Sequence, residues 1–202
     1  VFELAYVGNH GVHLQGSDAA NYPEAGPGAI QGRRPYQPWG NISYQSQDVG
    51  TTYQSLQTKI QHRAGHGLTG MISYTWSKFM QSNQSPALGG NHGYERTYSP
   101  FDTPHNVAMS GTYQLPVGKG RRFLTNSSGL VDSVLGGWQV QTIIVLRSGT
   151  PFTPTVSKDV ANTGVGGQRP NLNPDGGSKS FKRTLNTWFD KTAYKVPDQY
   201  TY

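Results

Sequence analysis

The sequence predicts an all-β fold, an antiparallel transmembrane β-barrel segment with long loops, on three observations. Apolar residues alternate with polar ones, the alternating segments are long, and the composition is polar yet weakly charged. Alternation is plainest in LTGMISYTWSKF, residues 68 to 79. Leu68, Gly70, Ile72, Tyr74 and Trp76 fall on one face, and Thr69, Met71, Ser73, Thr75 and Ser77 on the other. A strand between two unlike environments needs this period of two.

In chain order, FELAYV from Phe2 to Val7 is short but places Phe2, Leu4 and Tyr6 on one side. YQSLQTKIQH, residues 53 to 62, sets Leu56 and Ile60 against Ser55, Gln57, Lys59 and Gln61. RAGHG, residues 63 to 67, carries two Gly and reads as a hairpin turn into residues 68 to 79. The stretch from Met80 to Pro104, rich in Ser, Asn, Gly and Pro, reads as a long loop. HNVAMSGTYQL, residues 105 to 115, opposes Val107, Met109, Tyr113 and Leu115 to Asn106, Ala108, Ser110, Thr112 and Gln114. Residues 115 to 137 then form a connection longer than an inner-side turn usually is. WQVQTIIVLRS, residues 138 to 148, sets Trp138, Val140, Ile144 and Leu146 against Gln139, Gln141 and Arg147. A Gly, Pro and Asn segment follows to about Lys182.

Length narrows the class. At about 3.3 Å per residue and a tilt near 45°, eleven residues rise about 25 Å, the height of a lipid-facing apolar band. The other face, Ser, Thr and Gln, suits water better than the packed interior of a sandwich. Leu56, Ile60, Ile72, Tyr74, Trp76, Val107, Tyr113, Trp138, Val140, Ile144 and Leu146 are therefore expected to face outer-membrane lipid. Among them Tyr74, Trp76, Tyr113 and Trp138 are placed for an interfacial aromatic girdle.

Composition agrees. Of 202 residues only 34% are hydrophobic, with 26 Gly, 13 Pro, 12 Tyr and a mean hydropathy of -0.61, too little to fill a large soluble core. Disorder is disfavoured, because 14% charged and 11% aromatic residues are the reverse of a disordered composition. No Cys occurs, which removes disulfides and thiolate metal sites. No run of 18 apolar residues occurs, which removes spanning helices and leaves spanning strands open. The opening VFELAYVG and the close KVPDQYTY lead us to expect a fragment of a longer chain.

Other chemistries weigh less. His10 with His13, and His62 with His66, have the spacing of a metal pair, but the H-x3-H spacing helps only on a helix, and polar turns are the preferred reading. PVGKGRR, residues 116 to 122, lacks the hydroxyl residue and glycine spacing of a phosphate loop. It reads as a basic turn whose Lys119, Arg121 and Arg122 meet water or lipid phosphates. DVANTGVGG, residues 159 to 167, has some Asp and Asn spacing of a calcium loop without its closing Glu, and reads as a flexible loop. No GxSxG elbow occurs, and no enzyme or cofactor is expected. A net charge of +6 with many aromatics permits a nucleic-acid binder, but the girdle is preferred and no nucleic acid is expected. The remaining rival is a soluble or surface β-sheet adhesin or carbohydrate-binding protein.

The ordered series YVGNHGVHL, RRPYQPWGNI, residues 51 to 78, FDTPHNVAMSGTYQLPVGKGRRF, LGGWQVQTIIVLRSGTPFT, RPN at 169 to 171 and WFDKTAY resembles the barrel of TonB-dependent receptors. It is most similar to the Oar-like branch, whose members carry a carboxypeptidase-regulatory-like domain. The resemblance covers nearly the whole chain, and His105-Asn106 stands where relatives often have His-Arg. It implies a large plugged barrel of 22 strands in a Gram-negative type envelope. It also implies import of an unidentified ligand, and a TonB complex as partner through an N-terminal plug region that these residues do not include. On this reading residues 1–202 are a partial barrel domain, and loop residues around Gly89 to Pro104 and Pro151 to Pro170 are candidates for ligand contact.

Overall fold

The computed structural model describes residues 1–63, 67–84, 94–126, 129–178 and 180–202. Strands β1 (Phe2–Ala20), β2 (Ile42–Arg63), β3 (Leu68–Gln84), β4 (Tyr94–Tyr98), β5 (His105–Gln114) and β6 (Gln139–Arg147) form one sheet. Its order is β1-β2-β3-β5-β6, with β4 also on β3. Each long strand pairs with its neighbour in sequence, the pattern of an up-and-down meander. A six-residue helix α1 (Leu130–Leu135) interrupts the β5–β6 connection, and β7 (Asn171–Leu172) pairs with β8 (Tyr194–Lys195).

Register follows from hydrogen bonds. Val1 and Gln61 exchange both backbone bonds, so they are directly opposed and β1 runs antiparallel to β2. Glu3 with Lys59 (3.4 Å) and His10 with Thr52 (3.1 Å) lie on the same register, which sets Phe2 against Ile60 and Tyr6 against Leu56. Between β3 and β5, Ile72 opposes Met109 and Tyr74 opposes Val107; between β5 and β6, Met109 opposes Ile144 and Val107 opposes Leu146. A slip of one residue would turn any strand's apolar set to the wrong side, so the alternation itself holds the register.

Several expectations need correction. Strands β1, β2 and β3 have 19, 22 and 17 residues, well beyond the alternating cores at 2 to 7, 53 to 62 and 68 to 79. In β2 the added residues, such as SYQSQD, are largely polar on both faces, so no periodicity announces them, whereas in β1 Val12 and Leu14 continue the phase of Phe2, Leu4 and Tyr6. The expected loop from Met80 to Pro104 instead contains the end of β3 and all of β4, while residues 85–93 lie outside the described residues. The expected turn at 63 to 67 falls mostly on residues 64–66, also outside them.

The chain divides into two compact units. The first comprises Val1–His10, Thr51–Met80 and Tyr98–Pro151; the second comprises Gly11–Gly50, Gln81–Thr97 and Phe152–Tyr202. Among the described residues the only buried hydrophobic side chains are Ala161 and Val165, both in the second unit. The first unit is thus a sheet without an apolar interior.

Within that unit Asp102 repairs a break in the ladder. Ser99 N–H donates to Phe79 O and Ser77 N–H to Pro104 O, and between them the chain bulges away from β3. The Phe79 N–H, left without a strand partner, donates to Asp102 Oδ1 at 2.7 Å, and Asp102 is 1% exposed. Replacing Asp102 by Ala removes a charge-assisted acceptor from a part-buried N–H, so unfolding in urea is expected to show a loss of about 1.5–3 kcal/mol. Asp102→Asn, which keeps an acceptor oxygen, should retain most of the stability. An unchanged Asp102→Ala midpoint would contradict this role.

Candidate exposed apolar face and loop cleft

The register gathers ten of the eleven residues singled out from sequence onto one face as exposed side chains. These are Leu56, Ile60, Ile72, Tyr74, Trp76, Tyr113, Trp138, Val140, Ile144 and Leu146, between 37% and 61% exposed. Val107 shares the face and is half-buried between Tyr74 and Leu146. Phe2, Leu4 and Tyr6 extend it across β1. Among the described residues no second layer of this unit covers these side chains.

The face is bounded by aromatic groups. Trp76 opposes His105 at one end, and Tyr74 Oη lies 2.8 Å from His105 Nδ1 with the two rings stacked. At the other end Leu115 N–H donates to Trp138 O, and Tyr113 opposes Leu68 and Val140. From His105 to Leu115 is ten positions along β5. At about 3.4 Å each and the usual tilt of about 35–45°, the two tryptophan levels stand about 25 Å apart along a barrel axis. The row Ile72, Met109, Ile144 lies one position from the midpoint.

The opposite face is small and polar. Thr69, Thr112 and Gln141 form one row and Thr75, Asn106 and Arg147 another, and a shallow recess of about 370 Å³ opens beside Gln61, Thr69, Ser110 and Gln141. Lys59 and Glu3 pair on the same side of β1 and β2. β6 is the exception: Ile143 and Val145 stand on this polar face, Ile143 81% exposed.

The second unit buries little apolar side chain; it is held by polar side chains together with the packed rings of Phe152, Trp188, Phe189 and Tyr194. Asn21, fully buried, donates through Nδ2 to the carbonyls of Tyr36, Trp39 and Gly40, and its Oδ1 accepts from Tyr36 N–H at 2.6 Å. Asn162 donates to the carbonyls of Gly26 and Gly28. Residues 159 to 167, expected as a flexible loop, are instead wound round Asp159. Its carboxylate accepts from the N–H groups of Thr163 and Gly164 and from Gln168 Nε2, leaving Ala161 and Thr163 fully buried. These hydrogen bonds satisfy the polar groups that the loop buries.

Arg169 of the RPN motif makes a two-pronged ion pair with Glu95 of β4, whose carboxylate raises the guanidinium further above its usual range. The same motif continues into β7, and WFDKTAY continues into β8, so these two stretches form one small hairpin. There Asp190, exposed, lies below the ordinary carboxylate range because it accepts from Ser178 N–H and from the hydroxyl and N–H of Thr192. A cleft of about 690 Å³ lies among Gly28, Lys158, Asn162, Pro197, Gln199 and Tyr200, inside this unit.

His10 is engaged by Thr52, and His66, the partner proposed for His62, lies outside the described residues. Asn21, Asp102 and the Glu95–Arg169 pair were not found by sequence reasoning. An isolated polar residue in a loop carries no period, and only the proline two residues on, at Pro23 and Pro104, marks a turn beside Asn21 and Asp102.

A long antiparallel meander with one exposed apolar, aromatic-bounded face and one polar face defines the class of membrane-spanning β-sheet proteins. The family profile described as outer membrane beta barrel domain matches residues 1–202, and the chain belongs to that family. It is therefore a protein of the outer membrane. Comparison with curated proteins and with solved structures returned no match.

Proposed function

We propose that this chain is a partial barrel domain of an Oar-like TonB-dependent receptor that imports a ligand across the outer membrane. The observation that carries the membrane part is the exposed apolar face, which we assign to lipid. Its ten exposed side chains, each worth about 1 kcal/mol for the half left uncovered, amount to about 10 kcal/mol, which equals the whole stability of a typical domain. Water is thus a poor solvent for it and hydrocarbon a good one. Among the described residues the sheet has six strands, fewer than the eight of the smallest natural barrel, so a closed barrel would need more. The receptor assignment rests on the ordered motifs of the sequence, some of which lie in paired strands and others, such as RRPYQPWGNI, largely outside them. In this scheme the 690 Å³ cleft is the place of first ligand contact, since loops on a rigid sheet carry recognition.

Arginine substitution tests the lipid assignment. Ile72→Arg and Ile144→Arg should weaken assembly into the outer membrane by about 2–4 kcal/mol, the cost near the midplane, whereas Ser73→Arg and Gln141→Arg should assemble normally. Equal tolerance at all four positions would defeat the assignment. The receptor assignment is tested by reading the gene upstream of the Val1 codon: a plug domain and TonB-contacting segment are expected. Barrel strands without a plug would overturn the import mechanism and leave the membrane sheet standing.

A further inference from the structure

The start of β3 at Leu68 and the connection that follows β5 lie at the same end of the sheet, because Leu68 opposes Tyr113. Turns at this end of a membrane barrel are ordinarily short. This connection is long, and its residues are arranged in a particular way.

Gly118, at φ +120, lets the basic turn close on the end of α1: a Cβ there would stand 2.9 Å from Gly136 Cα. Lys119 N–H donates to Asp132 Oδ1 at 2.6 Å, and Trp138 Nε1 donates to Val134 O at 2.7 Å. Turn, helix and girdle tryptophan are therefore tied together. At 100° per residue, Leu130, Val131, Val134 and Leu135 occupy an arc of about 140° on α1, while Asp132 and Ser133 lie opposite. That arc is bare, with Leu130 85% and Val134 62% exposed. Lys119, Arg121 and Arg122 are exposed on the turn that Asp132 holds; Arg121 reaches Gln114 Oε1 at 3.5 Å, and Arg122 lies over the Phe123 ring.

We propose that this connection is an interfacial anchor. The apolar arc of α1 enters the boundary between headgroups and acyl chains, and Lys119, Arg121 and Arg122 bind the phosphates of the phospholipid leaflet at the short-turn end. The inference rests on the lipid assignment of the exposed face. Two observations select the headgroup layer as the occupant. Three cations within four residues complement an anionic surface, and the arc adjoins the apolar face through Trp138. The role also accounts for the length of the connection, which a bare turn would not need.

The chain has no cysteine, so single nitroxide labels can be placed at Leu130→Cys, Ser133→Cys and Ile144→Cys. The protein is reconstituted in vesicles of phosphatidylethanolamine and phosphatidylglycerol, and collisions with oxygen and with a water-soluble nickel complex are compared. At 130 oxygen should dominate, at 133 the nickel complex, and exchange of Lys119, Arg121 and Arg122 for Gln should move 130 several-fold toward the aqueous signature. Nickel access at 130 equal to that at 133 would overturn the anchor, as would shielding from both reagents, which would mean a protein cover. The label at 144 separates the two ideas: hydrocarbon there with water at 130 removes the anchor alone, and water at 144 removes the lipid assignment as well.

Discussion

An apolar sheet face that, among the described residues, no second layer of its own unit covers constrains the other features of this molecule. In water, side chains such as Ile72, Ile144 and Leu146 would draw the sheet into a second layer or an aggregate, because burial of that much apolar area is the dominant force in folding. In hydrocarbon the same face is already solvated, and the demand passes to the backbone. Every N–H and C=O at that depth needs a partner, which long antiparallel ladders supply. Strand length, register and the repair of the ladder at Phe79 by Asp102 all answer that demand.

With little interior to fill, the second unit obtains much of its order from hydrogen bonds, beside its cluster of aromatic rings. Buried Asn21 and Gln168, and the exposed Asp159, each satisfy several backbone groups at once. Such knots are specific, since loss of one amide strands several buried groups. They present a shaped surface built on loops, the arrangement that the import proposal requires of a ligand-contact region.

Legibility in the sequence tracked the presence of two unlike solvents. Where a strand separates an apolar environment from a wet one, period two appears, and the faces of β2, β3 and β5 could be read residue by residue. Where both faces meet polar surroundings, as in residues 42 to 52 of β2 and in β4, no period exists: the first stretch carries no strand signal and the second falls inside an expected loop. In β6 the run Ile143–Leu146 blurs the pattern, so only one face was legible. Asp102 and Asn21 were illegible for another reason: a single polar residue acts through a three-dimensional neighbour that local sequence does not specify. α1 is too short to carry a helical period of its own.

The most direct test of the central claim is the depth of Trp76 and Trp138. Variants keeping one of these two as the sole tryptophan would be reconstituted with phospholipids brominated at different acyl depths, and their fluorescence quenching compared with that by aqueous iodide. The account predicts strong quenching of both by bromine near the headgroups and little by iodide. Quenching by iodide without quenching by any brominated lipid would place the aromatic boundary in water and contradict it.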